Sequence, residues 1–430
     1  MSSLRARVRR GYALGSVATG TFGTVPGLLL LPYLTDELGV AAGVAGLVVF
    51  APKAWDVVLN PVAGRISDRS TSPRGRRRPF LLGAGTALAA AFALLFAGPT
   101  APPALGGLWV ALLFLACATA YAFFQVPYVA MPAELTDDAD ERTRLMTGRV
   151  VVLALAILVS GAGAPLVVEA AGWPAMGAAV AAVLLLGAVG AYVGTRGAPE
   201  VAAPAPTGSL QAQLRVVAAV ADFRWLLLTF VVQALGIGAM LAGVAYVARW
   251  LLGDPTAASL LFVAFVGPAL VVTPLWERFA RRRGKRAGWT ASSLVLVVGA
   301  LGLWAASGGS VLGTCLAAAV AGVGYAGAQV FPLAMLPDVA AADAAATGTT
   351  RTGVFTGVWT AGETLGLALG PGLYALVLQV GGYAAGAADQ TPAARTAIVA
   401  GFALVPAVLV AVSLLALRRY TLDERSAGVR

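Results

Sequence analysis

The sequence predicts an all-α membrane protein with twelve transmembrane helices in two pseudo-symmetric six-helix bundles, and with both termini in the cytoplasm. Of the 430 residues, 59% are hydrophobic and only 12% are charged, whereas soluble domains carry about 25% charged residues. Apolar runs of about 20 residues, the length that crosses the hydrocarbon core, recur along the chain. Lys and Arg residues concentrate in alternate connections between these runs, as the positive-inside rule requires of cytoplasmic loops.

The first bundle is predicted over residues 1–195. Its first apolar run follows Arg5, Arg7, Arg9 and Arg10. Because this run is longer than the apolar core of a signal peptide and shows no clear small-residue cleavage site, we interpret it as an uncleaved helix. The predicted spans of this bundle lie near 11–34, 41–64, 79–98, 107–131, 146–169 and 174–195.

The second bundle is predicted over residues 225–430 and ends in a short cytoplasmic tail. Residues 196–224 form a predicted cytoplasmic linker, because GAPEVAAPAPTG at 197–208 is rich in Pro, Ala and Gly. Ser209 is placed to cap a short amphipathic helix, with Leu210, Leu214 and Val217 on one face. The predicted spans of the second bundle lie near 225–250, 257–276, 287–307, 311–335, 352–380 and 395–417.

The residue types that the chain lacks exclude several classes of protein. It has no histidine, the commonest metal ligand and general base, and only two cysteines, which lie far apart in apolar runs. We therefore expect no metal site, no cofactor and no catalytic residue. The net charge of +10 does not indicate nucleic-acid binding, because the basic residues lie in loops between apolar runs.

A cluster of charged residues joins the second and third predicted spans. We call this segment, residues 64–78, the basic loop. Asp68 at the end of the second span is expected to meet the arginines and the N-terminal end of a neighbouring helix, as a latch that holds the inner gate in one state. The alternative is that these charges only fix the topology. The gating candidates are Gly64, Asp68, Arg69, Gly75, Arg76, Arg77 and Arg78.

An internal repeat supports two related halves. YAFFQVPYVAMPAEL, which begins at Tyr121, matches YAGAQVFPLAMLPDV, which begins at Tyr325, and each has an acid near its end. The basic loop has a counterpart in PLWERFARRRGKR, which begins at Pro274. Two parallel six-helix halves are the plan of the major facilitator superfamily, whose substrates bind near the membrane midplane between the halves.

Three strings in the first half resemble one branch of that superfamily. WDVVLNP, GRISDRSTSPRGRRRPF and FFQVPYVAMPAELTDDADERTRLMTGR are similar to the glycoside-pentoside-hexuronide:cation symporters, the branch of the melibiose carriers. The RGRRRPF segment also resembles the sucrose transporters. The resemblance covers the first half well and the second half loosely. It implies the major facilitator fold and secondary active transport.

The resemblance implies a modified cation and sugar site. Asp56 matches the first of two acids that hold the coupling cation in the melibiose-carrier-like members, whereas Asn60 stands in place of the second. The acids that hold the sugar on the first and fourth helices align with Gly20 and Gln125. The basic residue at the start of the fifth helix is present as Arg149. Sodium coupling and the usual mode of sugar recognition are therefore both expected to differ.

The spacing of polar residues in two spans allows two interpretations each. Lys53, Asp56 and Asn60 share one face of the second predicted helix. Either Lys53 forms a structural ion pair with Asp56 or extends its ammonium toward the membrane interface, or the three residues form a site that faces a central cavity. Tyr121, with Gln125 and Tyr128 on the same face, forms a stripe on the fourth predicted helix. This stripe serves either helix packing or contact with substrate.

Two further charged residues also have alternative interpretations. Arg149 is either interfacial or part of the cavity. Glu363, in the eleventh predicted span, lies among small residues that suit close helix packing and also suit a proton carrier. Lys53 favours the ionised form of Asp56, so Glu363 is the preferred carrier. Gln329 and Trp359 complete the predicted substrate-contacting set.

These expectations describe a secondary active transporter in the cytoplasmic membrane that moves a small organic solute by alternating access. The expected solute is a neutral glycoside or other sugar-like compound, or an amphipathic metabolite, and the expected coupling ion is a proton rather than sodium. The expected partners are the solute, the proton and membrane lipid, and the expected state is a monomer. The alternatives are an efflux antiporter for an amphipathic or lipid-like compound, and a sensor protein on the same scaffold.

Overall fold

The structure is a computed structural model that describes residues 4–73, 75–136, 138–198, 215, 218–306, 310–347 and 352–422. The residues on which the predicted linker helix depends, Ser209, Leu210, Leu214 and Val217, lie outside the described residues. So does the end of the predicted cytoplasmic tail, residues 423–430.

The regular elements of the described residues are all helices, which confirms the all-α prediction. The first five are α1 (Ala6–Pro32), α2 (Ala42–Asp68), α3 (Arg78–Leu95), α4 (Pro103–Leu135) and α5 (Ala139–Thr195). The next six are α6 (Ala221–Trp250), α7 (Ala257–Arg283), α8 (Lys285–Ala306), α9 (Val311–Thr347), α10 (Thr352–Val380) and α11 (Pro392–Leu417). π-Helical turns extend α1 at Tyr33–Glu37 and interrupt α11 at Ala400–Leu404.

Eleven helices of the described residues are long and apolar enough to cross a membrane. The fifth, α5, has 57 residues, which is about 85 Å of straight helix against a hydrocarbon core of about 30 Å. Within it Gly172 has φ 82° and ψ 174°, a backbone that glycine adopts without the strain other residues would suffer. The predicted fifth and sixth spans therefore lie in α5 on either side of this break, and α10 corresponds to the predicted eleventh span.

An aromatic corner lies beside this break. It consists of Tyr33, Phe96 and Trp173, at the ends of α1 and α3 and just after Gly172. The Trp173 ring stacks on Phe96 with centroids 5.9 Å apart and lies 4.9 Å from the Tyr33 ring. Its Nε1 atom donates a hydrogen bond of 3.1 Å to Glu37 Oε2. The corner therefore fixes where α1, α3 and the second part of α5 meet.

The chain divides into two compact units. The first comprises residues 1–206 with 385–387, and the second comprises 207–384 with 388–430. In the first unit α1 packs against α5 through glycines, since a Cβ atom on Gly11 would lie 2.3 Å from the Cα atom of Gly194. Small residues of this kind let membrane helices approach closely.

The second unit has an aromatic core and a buried polar network. Gln233 of α6 is 1% exposed, and its Nε2 atom donates to Ser293 Oγ at 2.9 Å and to Ser413 Oγ at 3.0 Å. Trp289 Nε1 donates to Gln233 Oε1 at 2.9 Å. Each of these buried polar atoms has a partner, so the network joins α6, α8 and α11 without an unsatisfied group.

Candidate functional site

Asp56 is a buried acid within the membrane-spanning length of α2. It is 3% exposed, and its Oδ1 atom has no hydrogen-bond partner among the described residues. No ion pair within 4.0 Å joins it to Lys53 in the described part of the chain. The direct ion pair that the spacing allowed is therefore not formed, although the two charges lie within electrostatic reach of each other.

Lys53 instead points into an aromatic cage formed by Phe22 of α1 with Phe114 and Tyr121 of α4. Its Nζ atom lies 4.9 Å from the centroid of the Phe22 ring, 5.8 Å from that of Tyr121 and 5.9 Å from that of Phe114. An ammonium within about 6 Å of a ring centroid is attracted by the ring. The cage therefore holds the charge of Lys53 of α2 beside α1 and α4.

Tyr121 connects this charge pair to α5. It is 9% exposed, and both Asp56 and Arg149 lie within electrostatic reach of its hydroxyl. The guanidinium carbon of Arg149 lies 5.7 Å from the ring centroid of Tyr128, and Arg149 is half-buried. The structure thus brings five of the predicted site residues, from α2, α4 and α5, into one polar cluster of the first unit.

Tyr128 is engaged in helix packing. Its hydroxyl donates to the carbonyl oxygen of Tyr12 at 2.8 Å, so the bond of 2.8 Å to Ser16 Oγ has the serine as donor. Its ring stacks on that of Tyr12 with centroids 4.8 Å apart, and it is fully buried. These contacts join α1 to α4, while the predicted contact of Tyr128 with solute stays a prediction.

Asn60 and Gln125 are half-buried, and neither side chain forms a hydrogen bond with a described residue. Both are therefore available to bind a polar ligand. Gly20, where the resemblance places a sugar-binding acid in other members, lies at a close approach of α1 and α5. A Cβ atom there would lie 3.0 Å from both Ala156 Cβ and Leu153 O. A carboxylate side chain at position 20 would require the two helices to move apart.

In the second unit the predicted residues occupy two environments. Gln329 and Glu363 are half-buried on α9 and α10, and both interact with the hydroxyl of Tyr325. Trp359 is 1% exposed and stacks on Phe230 with centroids 4.4 Å apart. Its Nε1 atom has no hydrogen-bond partner among the described residues. Glu363 thus has the uncharged hydroxyl of Tyr325 within its electrostatic reach, and no basic residue is among its interactions in the described part of the chain.

The basic loop forms the ion pair that the sequence predicted for Asp68. Arg77, at the start of α3, donates to Asp68 Oδ1 at 2.5 Å, to Ser67 Oγ at 2.6 Å and to Glu134 Oε1 at 2.9 Å. Arg76 lies 3.7 Å from both acids. The arginines thus join the ends of α2 and α4 to the beginning of α3. The latch function itself stays a prediction.

The other gating candidates differ in their contacts. Arg78 donates to the carbonyl oxygen of Ala198 at 2.7 Å, which ties α3 to the residues that follow α5. Gly75 has φ 103°, which a residue with a side chain adopts only with strain. A Cβ atom at Gly64 would make only an ordinary contact of 3.6 Å with Val126 Cγ1, and Arg69 is exposed.

Sequence reasoning did not assign Glu134 to this network, although it is 4% exposed and accepts from Arg77. The signal was present in the internal repeat, where Glu134 and Asp338 are the matching acids. In the second unit Lys285 pairs with Asp338 at 2.5 Å and donates to the carbonyl oxygen of Ala334 at 2.9 Å. In each unit, therefore, a basic residue at the start of one helix binds the acid that the internal repeat places near the end of another helix.

Comparison with known proteins decides the family. The sequence model of the family described as MFS/sugar transport protein matches residues 11–424. The chain belongs to this family. It is 24% identical over 434 residues to the isoprimeverose transporter of Lactiplantibacillus pentosus, covering 97% of this chain and 88% of that protein. It is 24% identical over 437 residues to the inner membrane symporter YicJ of Escherichia coli, covering 97% of this chain and 92% of that protein.

Solved structures agree with this assignment at the level of the fold. The bacterial homologue of the human lysosomal transporter Spinster, in its inward-facing and unoccupied conformation, has a TM-score of 0.69. It shares 14% sequence identity, with 97% of this chain and 96% of that chain covered. The protein is thus a multi-pass transporter of the cytoplasmic membrane, as the sequence predicted, and not an enzyme.

Proposed function

We propose that this transporter carries a neutral, sugar-like solute together with a proton, through twelve transmembrane helices with both termini in the cytoplasm. The match to the sugar transport family supports the class of solute. The isoprimeverose transporter, a relative over most of its length, is named for a sugar substrate. The polar, largely uncharged groups of Asn60, Gln125 and Gln329 suit hydroxyl recognition, because amides both donate and accept hydrogen bonds.

Glu363 carries the proposal of proton coupling. It lies within α10 and is half-buried, and no basic residue of the described chain interacts with it. A carboxylate in such surroundings holds a proton until it is hydrated or meets a cation. Asp56 differs because Lys53 lies within its electrostatic reach. Alternating burial and hydration of Glu363 during transport would therefore load and release a proton.

Each unit has its own residues that are proposed to contact the solute. In the first unit these are Arg149 with Asn60, Tyr121, Gln125 and Tyr128, and in the second Gln329 and Trp359. Arg149 supplies several hydrogen-bond donors in fixed geometry, which suits a ring bearing neighbouring hydroxyls. Asp68 and the arginines of the basic loop are proposed to stabilise the closed inner gate.

The test begins with identification of a solute that binds. Purified protein is screened by thermal unfolding against neutral mono- and disaccharides, glycosides and amphipathic compounds, because a ligand of the native state raises its apparent stability. The stabilising compound is then used in proteoliposomes with either a pH gradient or a sodium gradient. We expect accumulation that follows the pH gradient and is indifferent to sodium.

The variant Glu363→Gln is expected to abolish the response to pH while exchange of solute across the membrane persists. Asp389→Asn, at an exposed position outside the membrane-spanning helices, is the control and should respond like the native protein. Accumulation driven by sodium at fixed pH would contradict the proposal. A pH response that survives Glu363→Gln but is lost in Asp56→Asn would assign proton transfer to α2 instead.

A further inference from the structure

The buried carboxylate of Asp56 needs a positive charge or a proton. Its Oδ1 atom is buried without a hydrogen-bond partner among the described residues, and an ionised carboxylate in an apolar environment is strongly destabilising unless it is paired. The base within its electrostatic reach is Lys53, one helical turn earlier on α2. Because both groups are carried by the same helix, this countercharge accompanies Asp56 wherever α2 moves.

The aromatic cage keeps the ammonium at this depth. Lys53 is positioned by three rings from α1 and α4, at 4.9 to 5.9 Å from their centroids. The face of an aromatic ring attracts a cation electrostatically, and more strongly where water is excluded from the contact. A long, flexible lysine would otherwise extend toward water. The other titratable groups that face the ammonium are Cys117 and Tyr121, both on α4.

We propose that Lys53 is the resident cation of the Asp56 site and thereby decides which ion the transporter can use. The tethered ammonium supplies the countercharge that a free alkali ion would otherwise supply to the carboxylate. A tethered group has an effective concentration in the millimolar range or above, so a free ion must compete with it. Asp56 with Asn60, one turn later on the same face, could offer oxygen ligands to a hard cation only when the ammonium is removed.

This inference rests on the proposed assignment of Asp56 to the transport site, but its test is a binding measurement that requires no transport. Full-length protein is purified as the native chain and as Lys53→Met, Lys53→Arg and the double variant Lys53→Met with Asp56→Asn. Each is titrated with sodium chloride against choline chloride at constant ionic strength, and the unfolding temperature is measured. Methionine keeps the unbranched length of lysine without its charge.

The native protein and Lys53→Arg are expected to show no shift specific to sodium. Lys53→Met is expected to show a saturable rise of about 2–4 °C once sodium exceeds its dissociation constant roughly tenfold. The double variant should lose this rise, since it lacks the carboxylate. The chain's other lysine provides the matched control, and Lys285→Met should gain no sodium response.

Two results would overturn the proposal. The first is a sodium-specific stabilisation of the native protein that Asp56→Asn removes, because the ammonium would then not exclude the ion. The second is the absence of any sodium response in Lys53→Met and in Lys53→Gln, which is the replacement if the methionine variant does not fold. Failure of proton coupling at Glu363 would appear only in the proteoliposome assay, so the two failures are distinguishable.

Discussion

At the scale of single residues, Lys53 and Asp56 lie one turn apart on α2 and have different surroundings. The spacing of Lys53 and Asp56 allowed a direct ion pair, and the structure turns the lysine toward three aromatic rings instead. All three rings belong to α1 and α4, whose register against α2 depends on tertiary packing. Spacing within one helix reports which residues share a face, but it contains no information about the groups opposite that face.

Arg149 is the residue whose substitution tests the first unit's contact with solute. Arg149→Ala is expected to weaken solute binding by about tenfold or more, because a hydrogen bond to a charged group contributes about 1.5–3 kcal/mol. Arg149→Lys should recover only part of the affinity, since a point charge does not reproduce the planar guanidinium. Affinity is measured by isothermal titration with the stabilising solute. Equal affinity in all three proteins would show that Arg149 is interfacial.

At the scale of helices, the positions of the membrane spans could be predicted from the sequence. The length of an apolar run and the basic residues beside it are both visible in a short stretch of chain. The break in α5 could not, since Gly172 is one of 52 glycines and its φ of 82° depends on the packing around it. The role of Glu134 was also missed, because its partner Arg77 is 57 residues away in sequence. The internal repeat contained the signal, since it aligned Glu134 with Asp338.

The ion pair of Arg77 with Glu134 should contribute more to stability than that of Lys285 with Asp338. Arg77 is 8% exposed in its side chain and Glu134 is 5% exposed. Arg77→Met leaves Glu134 buried with only the longer, 3.7 Å contact to Arg76, so it should lower the free energy of unfolding by up to about 3–5 kcal/mol. Lys285 and Asp338 are 37% and 40% exposed, so Lys285→Met should change it by at most about 1 kcal/mol. Thermal unfolding in one detergent compares the two. Equal losses of stability in Arg77→Met and Lys285→Met would contradict the expectation that burial decides the contribution of each ion pair.

At the scale of the whole molecule, the repeat and the loop charges predicted two six-helix bundles, and the family match over residues 11–424 supports that plan. The structure divides the chain into two compact units. Which solute binds could not be read from the sequence, because amide, tyrosine and arginine side chains accept many hydroxylated compounds. Recognition depends on where these groups stand relative to one another, and their types alone do not determine that.

Sidedness of the membrane gives a test of topology. In a background where Cys117 and Cys315 are replaced by alanine, Thr71→Cys and Thr100→Cys place single thiols at exposed positions in the second and third connections. A membrane-impermeant maleimide applied to intact cells should label the cysteine at 100, which the positive-inside rule places outside. The cysteine at 71 should react only after permeabilisation. The reverse pattern would invert the proposed orientation of the whole chain.

The aromatic corner beside Gly172 gives the protein an intrinsic optical reporter. Trp173 is stacked on Phe96, lies beside Tyr33 and donates its indole N–H to Glu37. Fluorescence from a packed indole shifts to longer wavelengths when water reaches the ring. A difference spectrum between the native protein and Trp173→Phe would isolate this signal from the other tryptophans. Any separation of α1 from the second part of α5 would then shift the emission maximum of Trp173 to longer wavelength, without an added label.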